Sequence, residues 1–160
     1  MASQLSPETA RDPRQAPKPS ADGVKPWVAG IRQQPPNGGL LYAKDDKDGN
    51  GIQTIGLHNI DVPFNPMEYP EYFSMHPTGE DNIHNIQILN TMHNKWMTVF
   101  TGYGDTVGLY PVGQEGGQDQ HWTIEDLEQD PQVIKLKNLD NNDVLGACCR
   151  MGLRNVSRSQ

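Results

Sequence analysis

No stretch of a dozen residues in this chain carries apolar side chains at 3.6-residue spacing, so helices are not expected to be its main building element. Nor does any apolar run reach the length needed to cross a bilayer as a helix. Basic residues are few: 13 Lys and Arg stand against 20 Asp and Glu, the net charge is −7, and no basic run could follow a phosphate backbone. Nucleic acid is therefore not an expected partner. The two cysteines, Cys148 and Cys149, are neighbours. A bond between them would be strained and would close no useful loop, so one core thiol and one outward thiol in a strand are expected. The N-terminus lacks the order of positive, apolar and small residues that marks a secretory signal. This reading places the chain in the cytosol if it is the full-length product, and outside the cell if a signal has been removed.

Catalytic signatures are missing as well. The five histidines, His58, His76, His84, His93 and His121, are scattered without a metal-ligand spacing such as His-Glu-x-x-His. No Ser or Cys stands in a nucleophile-elbow context. A non-enzymatic protein with no required cofactor is expected.

What the chain does have is turns and short alternating strands. It holds 16 glycines and 13 prolines in 160 residues, and these punctuate ten candidate strands. The candidates are Trp27–Gln33, Leu40–Lys44, Ile52–His58, Glu71–His76, Asn85–Asn90, Trp96–Thr101, Thr106–Pro111, His121–Glu125, Val133–Asn138 and Val144–Cys149. Residues 1–25 are rich in proline and charge and poor in large apolar side chains, so they read as a flexible tail ahead of a single domain over 26–160. Within the domain the sequence repeats. Thr54-Ile55-Gly56-Leu57-His58 returns fifty-two positions later as Thr106-Val107-Gly108-Leu109-Tyr110, and Ile86–Asn90 is echoed forty-eight positions on by Ile134–Asn138. Self-similarity at this period indicates one supersecondary unit used several times.

Three four-stranded units of about forty-five residues are the usual content of a β-trefoil. The second unit reads Met97-Thr98-Val99-Phe100, then Val107-Gly108-Leu109-Tyr110-Pro111, then Gln120-His121-Trp122-Thr123-Ile124, with Tyr110 twelve residues before Trp122. This resembles the ricin B-type lectin repeat with its Gln-x-Trp signature. The first unit has Phe73 where the tryptophan would stand and lacks the glutamine. The resemblance implies an all-β trefoil in which Phe73 and Trp122 are core residues of the repeat. It also implies glycans or glycoproteins as ligands. The third unit is incomplete: Arg150 to Gln160 can add one strand at most and contain no Gln-x-Trp. The chain could be truncated, the trefoil could be open, or the missing strand could come from another chain or from the region around Trp27.

In the resembling family a sugar is held by an early Asp, an aromatic on the third strand and a nearby Asn or Gln. Aromatic faces cover the apolar C–H face of a sugar while polar neighbours orient its hydroxyls. The early acidic position falls near Thr98–Thr101, where there is no Asp. The expected site is accordingly Asp105, Tyr110 and Asp119 or Gln120, with Tyr103 as a stacking ring. Alongside it, Asp46, Asp48, Asn50 and Gly51 reproduce the first half of an EF-hand loop, which makes calcium a candidate ligand. Leu57 stands where the bidentate Glu should be, and a hairpin turn of Asp, Asn and Gly explains the same residues. The insert Val62–Tyr72 is rich in proline and aromatics and longer than a hairpin requires. It could cover the open base of the barrel or engage a protein partner, as in an inhibitor or an assembly or homo-oligomer contact. The resembling family also supplies receptor-binding subunits of toxins such as cytolethal distending toxin, and the layout here is similar to theirs.

Overall fold

The computed structural model describes residues 25–33, 39–79, 82–113, 118–127, 130–148 and 152–156. Eleven strands run through them: β1 (Trp27–Gly30), β2 (Leu40–Lys47), β3 (Gln53–His58), β4 (Tyr72–Gly79), β5 (Asn82–Asn90), β6 (Lys95–Phe100), β7 (Thr106–Pro111), β8 (Trp122–Leu127), β9 (Asp130–Asn138), β10 (Val144–Cys148) and β11 (Gly152–Val156). All ten strands read from alternation are present, with ends shifted by a few residues. β11 is the one further strand that the C-terminal stretch could supply. Apart from Lys25, the proposed tail over 1–25 lies outside the described residues, as does Cys149. Among the described residues no helix is long and apolar enough to cross a membrane.

The pairing divides the strands into two sets. β1, β4, β5, β8 and β9 follow one another edge to edge, each antiparallel to the next. The other six form three hairpins, β2–β3, β6–β7 and β10–β11. The hairpins meet around β7, which pairs with β3 through Gln53↔Leu109 and with β11 through Arg154↔Thr106. A strand row capped by three hairpins, each unit built alike, is a β-trefoil. Among the described residues the third unit contributes three strands, and β1 is paired along one side only, to β4.

One core fills the space between row and cap. Trp122, Phe73, Ile55, Met75, Ile86, Ile88, Met97, Val99 and Val107 are almost wholly buried. Burying a single indole removes on the order of 200 Å² from water, roughly 5 kcal/mol of driving force. The repeat is visible in the details. Phe73 lies opposite Asn90 across β4 and β5, and Trp122 lies opposite Asn138 across β8 and β9. Both asparagines are 0% exposed, and each pins a turn with its side chain. Asn90 donates to the Pro70 carbonyl and accepts from the His93 N–H, while Asn138 donates to the Asp119 carbonyl and accepts from the Asp140 N–H. Four residues after each, Asn94 and Asn142 adopt positive φ of 56° and 65°, a conformation asparagine tolerates.

Candidate functional site

A row on the outer face crosses four strands, from the last strand of the first unit into the second unit. Directly paired residues of antiparallel strands project to the same side. Ser74 pairs with Leu89, Leu89 with Trp96, and Trp96 with Tyr110, so these four form a line over β4, β5, β6 and β7. Their chain neighbours Phe73, Met75, Ile88, Met97 and Leu109 point the other way, into the core. Beside the line runs the pair His76↔Gln87. The His76 ring meets Trp96 edge to face, with centroids 5.3 Å apart and planes at 86°. Ser74 Oγ lies 2.9 Å from His76 Nε2, and burial holds the imidazole below its ordinary pKa, which favours the neutral ring. At the other end Phe100 stands 6.3 Å from Tyr110.

Gly108 explains how that last ring is placed. A Cβ there would come within 3.2 Å of the Phe100 ring and 2.7 Å of the Gln53 carbonyl, so only glycine lets ring and strand approach this closely. The 3-10 turn Gln118–Gln120 packs against β6 and closes the flank. Gln120 is 3% exposed and accepts from Gln87 Nε2 at 3.5 Å, while its own buried amide nitrogen has no protein partner.

The residues proposed from sequence fall in two places. Tyr110, Asp119 and Gln120 belong to the base of the β6–β7 hairpin and the turn beside it. Tyr103 and Asp105 sit at the hairpin tip, four residue pairs from the Trp96↔Tyr110 pair, a separation of about 13 Å along the strands. Tyr103 is exposed, and Asp105 takes φ +60° so that its carbonyl can accept from the Asn155 N–H. The hairpin therefore does not gather all five around one ligand-sized space. Trp96, His76 and Gln87 were missed from sequence. Pairing the two second-unit strands about the Thr101–Asp105 turn would have placed Trp96 beside Tyr110.

The first unit treats the same positions differently. Glu71 stands two residues before Phe73, where Gln120 stands before Trp122, and is 2% exposed. Its Oε2 lies 2.7 Å from His58 Nδ1, and its buried Oε1 has no protein partner. Tyr42 stacks on His58 with centroids 3.4 Å apart, and its hydroxyl pKa is raised by burial and by the nearby Asp46, Glu71 and Asp45 carboxylates. The acidic segment that resembles half an EF-hand is a hairpin turn. Asp48 Oδ1 accepts the N–H groups of Asn50 and Ile52, Gly51 takes φ +79°, and Asp46 lies within β2. Among the described residues no group of three or more His, Cys, Asp or Glu side chains converges as metal ligands would. In the Val62–Tyr72 insert, the Tyr72 hydroxyl donates to the Val62 carbonyl and the Phe64 ring packs edge-on against Tyr72, while Met67 is 66% exposed.

No protein-family model matches the sequence, nor does any curated protein. Solved structures do share the fold. The SDF2-like protein from Arabidopsis thaliana is similar with a TM-score of 0.57 at 12% identity, over 84% of this chain and 86% of that one. A mosquitocidal holotoxin is similar with a TM-score of 0.61 at 13% identity, over 87% of this chain but only 16% of the toxin. The Polyporus squamosus lectin, solved with the epitope Neu5Aca2-6Galb1-4GlcNAc, is similar with a TM-score of 0.54 at 15% identity, over 87% of this chain and 47% of the lectin chain. At these identities the likeness establishes the β-trefoil fold alone.

Proposed function

We propose that the protein is a non-enzymatic, lectin-like carbohydrate-binding module and that the Trp96–Tyr110 face of its second unit is the sugar platform. The observation that carries this reading is the four-strand row, in which two half-buried aromatic residues, Trp96 and Tyr110, are directly paired and His76 and Gln87 provide hydrogen-bonding groups beside them. Aromatic rings offer apolar surface suited to the C–H face of a pyranose, and amide and imidazole groups at their edge suit its hydroxyls. The trefoil shared with a glycan-bound lectin supports the same reading. Likeness to a segment of a holotoxin fits a receptor-binding module within a larger assembly.

A glycan array with the full chain tests the proposal. Trp96→Ala and Tyr110→Ala are expected to lose the signal while keeping the folded spectrum, whereas Tyr103→Ala and Asp105→Ala at the hairpin tip keep it. Loss confined to the tip variants would move the site to the tip. No signal with any glycan would favour a second reading, protein recognition by the Val62–Tyr72 insert, for which the exposed Met67 and the neighbouring exposed Ile60 speak.

A further inference from the structure

Resting on the platform reading above, we infer that this face takes uncharged glycans and turns away glycans that carry a carboxylate or a sulfate. From Tyr72 to Leu127, the stretch that supplies all four strands of the row and the turn beside it, the sequence has seven Asp and Glu and a single basic residue, Lys95. Lys95 adjoins Trp96 in β6 and so projects to the opposite side, where its Nζ donates to Gln53 Oε1 at 2.7 Å. The imidazole that touches Trp96 belongs to His76, whose pKa burial lowers, which disfavours a charge there. On the outer face of the strands that flank the row, Lys137 is paired with Glu125 at 2.9 Å and Arg154 lies opposite Thr106. Lys137 reaches the row only through Thr123 and Asn85, and Arg154 only through Thr106, with Asn85 and Thr106 each four residues along a strand from the Leu89–Trp96–Tyr110 line. Each cation therefore stands roughly 13 Å or more from that line, beyond the Debye length of about 8 Å in physiological salt. Among the described residues no lysine or arginine is placed against the row, so a bound anion would lose water there without gaining a cation. At low salt, where the Debye length reaches about 30 Å, the acidic excess of the stretch would repel it on approach. The fold itself does not dictate ligand charge, since the similar Polyporus lectin holds an epitope ending in Neu5Ac.

Matched pairs of immobilised oligosaccharides provide the test, each pair sharing one core and differing by a terminal sialic acid or a sulfate, with the full chain titrated at low and high salt. The neutral member should bind at least about fivefold more tightly at low salt, and the gap should narrow in 0.5 M salt as the repulsion is screened. Equal or tighter binding of the charged member, abolished by Trp96→Ala, would overturn this inference and leave the platform in place. Binding of either member that survives Trp96→Ala would overturn the platform itself.

Discussion

Gly56 and Gly108 hold the same position in the third strands of the first and second units, yet what crosses the space above each is different. Over Gly56 a Cβ would meet the end of the Lys44 side chain at 2.7 Å and the Tyr42 ring at 3.0 Å. Over Gly108 it would meet Ile52 at 2.5 Å and the Gln53 backbone carbonyl at 2.7 Å. The first unit folds Tyr42 onto His58 and anchors that histidine on buried Glu71, so its outer face is filled by its own side chains. The second unit sets Trp96 opposite Tyr110 on paired strands, with His76 and Phe100 meeting them at a steep angle rather than stacked over them. Inside the molecule the two units agree, because core volume and turn geometry admit few solutions. Outside, where only water is displaced, they have diverged, and the divergence is what makes one face a candidate for ligand and the other not.

The agreement inside can be broken most visibly at Trp122 and Phe73. Each is 0% exposed and lies opposite a buried asparagine. Truncation of either to alanine should cost about 3–5 kcal/mol in urea unfolding. Trp122→Ala is expected at the upper end because it also removes the donor to the Met97 carbonyl. Trp122→Phe, which makes the second unit imitate the first, should recover much of the loss. A Phe73→Ala cost below about 1 kcal/mol would show that the two positions are not equivalent.

The glycines sharpen the same comparison at a smaller scale. Gly108→Ala drives a methyl into a backbone carbonyl that cannot step aside, and should destabilise the fold by about 1–3 kcal/mol. Gly56→Ala displaces the tip of a flexible lysine and should cost well under half of that. Unfolding midpoints of the two variants measured side by side decide the matter, and equal costs would mean that the close approach around Gly108 relaxes.

Much of this fold could be read from the chain. Period-two alternation located the strands because each has one buried side, and the returning Thr-x-Gly-Leu segment located the third strands because neighbouring atoms approach closely over both Gly108 and Gly56. The row on the outer face was harder to see. Its members come from four strands, and which residues meet depends on cross-strand register, which is fixed by turn lengths rather than by any one segment. Trp96 looks like one more strand residue until it is paired with Tyr110. The acidic turn presents the converse case: Asp46, Asp48 and Asn50 have ligand-like spacing, but the Asp48 carboxylate is held by two backbone N–H groups and serves the turn. Glu71 stands where the repeat would put Gln120, which the sequence shows, but its burial and its pairing with His58 come from the fold.

Two histidines extend the comparison to pH. His58 leans on a carboxylate, whereas His76 has the hydroxyl of Ser74 as its polar neighbour and lies in an apolar setting against Trp96. Burial lowers the His76 pKa from its ordinary 6.5 in the folded chain. In the unfolded chain the ring takes up a proton as pH falls through about 6.5, while in the fold it stays neutral to lower pH. Over that window the unfolded state binds more protons, so stability decreases as pH falls, and the decrease ends once the folded-state pKa has been passed. His76→Gln keeps a polar group beside Ser74 and has no proton to gain. Its urea midpoint should therefore fall less than that of the wild type between pH 7.5 and pH 5, a modest effect beside those of the core variants, since His76 is only partly buried. Parallel slopes for the two proteins would show that His76 is as free to ionise in the fold as in the unfolded chain. In that event acid would place a cation beside Trp96, and discrimination against anionic glycans would weaken at the same pH.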